Sequence, residues 1–146
     1  MYKLQRTKRL KEEIALCDEA GNTVRTIQVD FDVDQLGKAF NERWNSIIMA
    51  EQTIKKATSD GTQTNLIEAY TAYGNAVVNM VRLVFGDENA EVIFDHYEHR
   101  PTEIATEVFP FLIQVVFPRV TAAAKEKADR LRENYGTSRG ILPFRK

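Results

Sequence analysis

The stretch LIEAYTAYGNAVVNMVRLV, residues 66–84, decides the fold. Its apolar residues are spaced alternately four and three positions apart. That spacing is the heptad pattern of a helix lying nearly parallel or antiparallel to a partner helix. The residues of this seam are Leu66, Tyr70, Tyr73, Val77, Met80 and Val84. We expect the seam to be buried in a helical core.

The partner helix is predicted just upstream, beginning after Asp32 and ending near Ala57. Asp32 is a favourable N-cap residue, and Gln35 follows at the spacing of a capping box. An apolar stripe with helical periodicity comes next. It consists of Leu36, Phe40, Trp44, Ile47, Ile48 and Ile54. The short polar linker at residues 58–64 indicates that the two helices form an antiparallel pair.

A β-hairpin is predicted before the first helix, over residues 12–31. Apolar and polar residues alternate on both sides of the turn segment DEAGN (18–22), so one face of the hairpin covers a core. The alternating apolar residues are Ile14, Leu16, Ile27, Val29 and Phe31. Two strands alone are only marginally stable, so the hairpin must pack on helices or pair with another chain.

Downstream of the seam, the sequence predicts further helices. Gly86 ends the second helix, and a short third helix follows until Arg100-Pro101 stops it. The last helical segment runs to Tyr135, and its two prolines, at 110 and 118, predict a kink or a split. The expected fold is mainly α, a helical bundle of about four to five helices with an N-terminal β-hairpin. The domain spans 12–135, between a basic arm at 1–11 and a basic tail at 136–146.

Length and composition bound the class of protein. The 146 residues predict one domain, and 43% hydrophobic and 28% charged residues are typical of a globular protein. The longest apolar run, at 109–118, has about half of the roughly 20 residues that span a bilayer, so we expect no membrane partner. The basic start does not resemble a signal peptide. The single Cys17 excludes an internal disulfide, and we expect it to be a half-buried structural thiol.

The net charge of −1 conceals an uneven distribution. Residues 1–11 carry five basic groups and residues 136–146 carry three, with no acid in either segment. The body between them carries the 21 acids and 12 basic residues. Basic ends of this kind either fold back onto the acidic body or onto a neighbouring copy, or they bind an acidic partner such as nucleic acid. We favour the first alternative, because the arm lacks the interleaved aromatics of a nucleic-acid site.

Both histidines lie in the acidic stretch between Gly86 and Pro101. Glu91, Asp95 and His99 are four residues apart, so they share a helix face on which a divalent metal could bind. Carboxylate metal sites in helical bundles, however, use Glu-x-x-His pairs from more than one helix, and no matching pair occurs. We therefore predict that His96 and His99 hold no functional metal. No nucleophile or phosphate-loop motif occurs either, so we expect no catalytic residue, no cofactor and no enzyme activity.

The segment EVFPFLIQVVFPRV, residues 107–120, is apolar on nearly every side. A helix of this kind is either wrapped on all sides by its own chain or exposes one side to a partner. The second alternative predicts a protein-binding surface for self-association or for a client. Its candidate residues are Val108, Phe109, Phe111, Leu112, Val115, Val116 and Phe117.

The order of these elements resembles the small tail assembly chaperones of long-tailed phages and prophages of Gram-positive bacteria. The resemblance covers roughly residues 10–135 and rests on packing and capping residues. The matching pairs are Phe85-Gly86, Ile93-Phe94, Arg100-Pro101 and Phe111-Leu112. The basic arm and the tail ILPFRK are not part of the pattern.

The resemblance implies a non-enzymatic function in the cytoplasm of a bacterial host cell. Such chaperones bind the long helical tape measure protein while the tail tube assembles around it, and many of them form homo-oligomers. The alternative is a small helical regulatory or nucleic-acid-associated protein that uses the basic N-terminal arm. Salt-sensitive DNA binding would distinguish this alternative.

Overall fold

The computed structural model describes the backbone of residues 1–6, 9–60 and 63–141, and the side chains of residues 1–6, 9–59 and 65–133. This part of the chain forms one antiparallel hairpin followed by three helices. The hairpin consists of β1 (Leu10–Cys17) and β2 (Thr23–Phe31). The helices are α1 (Val33–Asp60), α2 (Gln63–His96) and α3, which is continuous over residues 101–141. Within α3, Leu112–Val116 is a π-helical turn.

The mainly helical fold with an N-terminal hairpin is confirmed, but the prediction of four to five helices is wrong. The described residues form three. One of the predicted breaks is present and the other is not. At Gly86 a non-helical backbone joins two helical arms of α2, whereas the prolines of α3 lie inside one helix.

The hairpin covers the core with the face that the alternation predicts. Ile14 pairs with Ile27, and Leu10 pairs with Phe31. The side chains of Leu16, Ile27, Val29 and Phe31 are buried, whereas Ile14 is half-buried. Asp18 closes the turn by accepting hydrogen bonds from the backbone N–H groups of residues 20 and 22, at 3.0 and 2.9 Å.

Helices α1 and α2 pack together along their lengths. The backbone N–H of Gln35 donates to Oδ1 of Asp32 at 3.3 Å, which confirms Asp32 as the N-cap. The apolar stripe and the seam are correct at most positions and wrong at two. Ile48 is 38% exposed and Tyr70 is 52% exposed. Ala69, which is buried, occupies the inward position beside Tyr70.

Gly86 turns the second helix back on itself. Its φ of 81° and ψ of 162° are not helical and suit only glycine. In a straight helix, residues 12 positions apart are separated by about 18 Å. Yet the guanidinium of Arg82 lies 5.1 Å from the ring centroid of Phe94. The residues after Gly86 therefore run back along the residues before it.

A tight connection joins α2 to α3. The backbone N–H of His99 donates to the carbonyl of Phe94 at 2.8 Å, and that of Glu98 donates to Asp95 at 3.2 Å. This is the bonding pattern of a Schellman motif. Both Glu98 and His99 have positive φ, 54° and 58°, with no glycine at either position. Pro101 then begins α3, in the first helical turn.

The three helices form a bundle in which α3 runs parallel to the first arm of α2 and antiparallel to α1. A Cβ atom on Gly74 would lie 3.2 Å from Cγ of Pro101, and the rings of Phe85 and Phe111 are 5.9 Å apart. These two contacts occur in the same order along both helices. The contacts of α1 with α3 occur in opposite order, since Phe40 meets Phe117 and Trp44 meets Phe109. The buried core joins all five elements.

The prolines do not split α3, because the helix widens between them. The backbone N–H of Phe117 donates to the carbonyl of Leu112, five residues back, in the π-helical turn. The predicted split does not occur, and the irregularity between the two prolines is the π-helical turn. Pro101–Glu133 is long and apolar enough to cross a bilayer by length and composition, with a mean hydropathy of 1.3 over 18 residues. Core helices of soluble proteins pass the same test, and a third of that window is buried.

The first strand and the last helix extend past the bounds predicted for the domain. Leu10 and Lys11 belong to β1, so the strand begins inside the predicted arm. At the other end, α3 continues through Ile141 and thus includes half of the predicted tail. Residues 142–146 lie outside the described part of the chain.

Candidate partner-binding surface

The seven residues predicted to bind a partner face different sides of α3. Val108, Leu112 and Val116 are buried in the core of the same chain. They follow one another at four-residue intervals, which places them on one face of the helix. They stabilise the fold and are not accessible to a partner in this structure.

A second face of α3 is aromatic and partly open to solvent. Phe109 is half-buried, Ile113 is 51% exposed and Phe117 is 44% exposed. Trp44 of α1 packs against this face, with its ring centroid 5.3 Å from that of Phe109. We call the four residues Trp44, Phe109, Ile113 and Phe117 the aromatic surface.

Packing of α1 against α3 holds the aromatic surface in place. The ring of Phe40, which is buried, lies 6.1 Å from that of Phe117 and is stacked on Trp44 at 6.2 Å. Trp44 meets Phe109 and Phe40 meets Phe117, so the two helices are antiparallel. The surface thus has a rigid base, because its inner edge is anchored in the core.

The two remaining candidates lie beside the core. Phe111 is half-buried and contacts the rings of Phe31 and Phe85, at 6.1 and 5.9 Å. It therefore packs towards the hairpin, away from the aromatic surface. Val115 is also half-buried against the core.

A groove of about 510 Å³ continues the aromatic surface between the start of α1 and the second half of α3. Gly37 and Val120 line it from the two helices, and Phe117 belongs to both the groove and the surface. Small residues such as Ala124 let another helix approach closely. Leu131, 48% exposed, lies at the far end. The apolar area is thus longer than the predicted segment and includes part of α1.

Sequence reasoning missed two members of the aromatic surface. Trp44 was assigned to the buried stripe of α1. Ile113 was noted as apolar but not chosen as a candidate. A signal for Ile113 was present, since it lies four residues from both Phe109 and Phe117 and so shares their face.

The acidic stretch does not assemble a metal site. Arg82 forms ion pairs with Glu91 and, at 3.5 Å, with Asp87. Asp95 lies 3.0 Å from Nε2 of His99. Among the residues that the structure describes, no group of three His, Cys, Asp or Glu side chains has a metal-binding arrangement. The absence of a functional metal remains a prediction.

Cys17 and Tyr97 lie near a small cleft between the hairpin and α3. The prediction of a half-buried thiol is wrong, because Cys17 is exposed at the end of β1, where its side chain points away from the core. Nε2 of His96 lies 3.0 Å from the backbone oxygen of Cys17. Burial raises the pKa of Tyr97, and the nearby carboxylates of Glu107 and Glu103 raise it further.

The described part of the basic arm is attached to the body at Arg9. Its Nε donates to Oδ1 of Asp30 at 2.8 Å, and a second nitrogen lies 3.5 Å from Asp32. The bonds to Asp30 raise the pKa of the guanidinium. Residues 1–6 are exposed, so the contact with the acidic body is limited to Arg9, beside the start of β1, and both alternatives for the arm stay predictions.

Comparison of the chain with family models, curated proteins and solved structures found no significant match.

Proposed function

We propose that the protein is a non-enzymatic assembly chaperone that binds an amphipathic helix of a phage tape measure protein. The aromatic surface is the observation that supports this most directly. It combines large apolar side chains, a rigid base and a groove that extends it. An apolar helical surface of this kind suits a client helix that presents residues at i, i+3, i+4 and i+7.

The energetics of the surface are sufficient for specific binding. Ile113 and Phe117 are about half exposed, so a partner helix would still remove much of their area from water. Complete burial of one such side chain is worth about 1.5–3 kcal/mol. Trp44 would be an anchor, because tryptophan is among the residues that contribute most at protein interfaces.

The choice of client rests on the resemblance to phage tail assembly chaperones. Three of the four residue pairs that carry it lie at structural junctions, and the fourth, Ile93-Phe94, is buried inside α2. Gly86 folds α2, Arg100-Pro101 begins α3, and Phe111-Leu112 begins the π-helical turn. A tape measure protein is long and helical, so it would offer repeated amphipathic faces to such a surface. Self-association of the chaperone is part of the proposal, since α3 exposes apolar residues along much of its length.

Titration calorimetry with synthetic helical segments of a phage tape measure protein tests the proposal. We expect saturable binding by the wild-type chain. Phe117→Asp and Ile113→Asp should each weaken it at least about tenfold, because 1.4 kcal/mol corresponds to that factor.

Ile67→Asp is the matched control, since Ile67 is 60% exposed on α2 and lies outside the aromatic surface. It should leave the affinity unchanged. Thermal unfolding of each variant separates loss of binding from loss of the fold. Equal affinity for all three variants, or no binding by the wild type, would contradict the proposal.

A further inference from the structure

The groove beside the aromatic surface contains two lysines with no carboxylate partner in the described part of the chain. Lys38 of α1 and Lys127 of α3 both line the groove, and both side chains are exposed. Neither belongs to an ion pair among the described residues, whereas two arginines further along α3 pair with carboxylates of their own helix. Asp34, in the first turn of α1, also lines the groove. Two lysines and one aspartate give the lining a net charge of +1.

The N-terminal arm brings further positive charge to the same end of α1. Arg9 pairs with Asp32, which directly precedes Val33 of the groove lining. Lys3 and Arg6 are exposed, and residues 1–6 contain no acid. Arg6 is three residues before Arg9, so it stays within about 11 Å of it. The arm therefore adds positive charge near this end of the groove.

The surface changes from large to small side chains along α3. At one end the rings of the aromatic surface project, and Phe117 is 44% exposed. Beyond Phe117, Gly37 of α1 faces Val120 of α3. Ala124 and Ala128 follow on α3. A partner helix fits both parts when it carries small residues opposite the rings and larger apolar residues opposite the alanines. This mainly apolar lining suits a polypeptide helix, whereas a phosphate backbone is bound by basic and polar groups.

The two lysines lie about 12 Å apart along the groove. A Cβ atom on Gly37 would lie 3.8 Å from Cγ1 of Val120, and α1 and α3 are antiparallel. Lys38 is therefore level with the residue that precedes Val120. Lys127 is eight residues further along α3, and eight residues of helix rise by about 12 Å.

We propose that the groove and the aromatic surface together bind one acidic amphipathic helix, whose carboxylates pair with Lys38 and Lys127. The two pairing carboxylates lie about eight residues apart, which matches the spacing of the lysines. The helix is about 22 residues long, because α3 rises by about 33 Å from residue 109 to residue 131. The inference rests on the proposed function and specifies the chemistry of its client. That client has acids beside an apolar face whose residues are small opposite the rings.

Fluorescence anisotropy with labelled synthetic helices tests this inference. Two peptides of that length share one apolar face of leucines and alanines. They differ only beside that face, where one peptide carries glutamates and the other carries lysines. At low salt, the glutamate peptide should bind the wild-type chain at least about tenfold more tightly than the lysine peptide. High salt should reduce this preference, because it screens exposed charges. Equal affinity for the two peptides, or a preference for the lysine peptide, would overturn the inference.

Charge reversal in the groove tests the two lysines themselves. Lys38→Glu combined with Lys127→Glu should reverse the preference, so that the lysine peptide binds more tightly. Unfolding cannot produce such a gain of binding. Lys55→Glu combined with Lys56→Glu is the matched control, because it makes the same change of net charge on exposed residues near the other end of α1. The control should keep the wild-type preference. A groove variant that also keeps it would show that the inference is wrong.

The outcomes for this inference and for the proposed function are distinguishable. If tape measure segments bind through Phe117 but equally well to the wild type and to the groove variant, only this inference fails. If the glutamate peptide binds as expected and no tape measure segment binds, only the choice of client fails. Duplex DNA is the third probe. DNA binding that depends on Lys38 and Lys127 and is tighter than binding of the glutamate peptide would assign the groove to nucleic acid and overturn the inference.

Discussion

At the scale of single residues, the short connection between α2 and α3 contains residues in a strained backbone conformation. Glu98 and His99 adopt a left-handed conformation that costs an L-residue about 1–2 kcal/mol. Sequence reasoning placed the end of the helix at Arg100-Pro101, whereas α2 ends at His96 and a tight turn fills the residues between. It could not identify the left-handed residues, because their usual signal, a glycine, is absent here.

Glu98→Gly should stabilise the protein by about 0.5–1 kcal/mol. Glycine removes the conformational cost at C′ but adds entropy to the unfolded chain, so the gain is less than the full cost. Chemical denaturation measures it. Glu103→Gly is the control, because Glu103 also pairs with Arg100 but lies in a helix. It should destabilise by about 1 kcal/mol. Destabilisation by both would show that Glu98 is not strained.

Tyr97→Phe should reduce the loss of stability at alkaline pH. The pKa of Tyr97 is raised in the folded protein, chiefly by burial. The neutral side chain of Tyr97 therefore contributes fully to stability below the ordinary tyrosine pKa near 10. This contribution is lost as the pH rises through the pKa of the folded protein. The free energy of unfolding at pH 8 and pH 11 should differ less in the variant than in the wild type. An equal difference would contradict this assignment.

At the scale of elements, local sequence signals predicted where strands and helices begin or end better than they predicted which helical segments are continuous. The cap at Asp32 and the hairpin alternation were correct. The number of helices was wrong, because a π-helical turn accommodates the prolines of α3 and no sequence rule signalled it. Periodicity alone placed Ile48 of α1 and Tyr70 of α2 in the core. Both side chains are exposed, because neighbouring elements do not cover every turn of these two helices.

Gly86→Ala should destabilise the protein by about 1–3 kcal/mol, because its backbone conformation is accessible almost only to glycine. Gly37→Ala is the comparison. Its new Cβ would lie 3.8 Å from Val120, an ordinary contact, in the second turn of α1. That substitution should be neutral or stabilising by up to about 1 kcal/mol. If both changes had the same effect on urea unfolding, the fold-back at Gly86 would be wrong.

The two faces of α3 differ in how much they contribute to the stability of the fold. Leu112 is fully buried, so Leu112→Ala should cost about 2–5 kcal/mol. The adjacent Ile113 is 51% exposed, and Ile113→Ala should change stability by about 0.5 kcal/mol or less. Thermal unfolding compares the two. A large loss for Ile113→Ala would mean that the aromatic surface is part of the core.

At the scale of the whole molecule, the sequence predicted that α3 has more apolar residues than one chain can bury. It could not assign each residue to a side, since a helix that is apolar all round carries no moment to orient it. The burial of each side chain in the structure assigns it to a side of the helix. Three of the seven candidates belong to the core, and the exposed ones join Trp44 of α1 in one surface. Their role in binding stays a prediction.

The central claim, that the aromatic surface binds a client helix, is tested most directly by the fluorescence of Trp44, the single tryptophan of the chain. Trp44 is half-buried beside Phe109, so a helix docking on this surface would remove it further from water. Titration with tape measure segments should give a saturable shift of the emission to shorter wavelength, which Phe117→Asp abolishes and Ile67→Asp leaves intact. Binding detected by calorimetry without any change in Trp44 emission would contradict the claim.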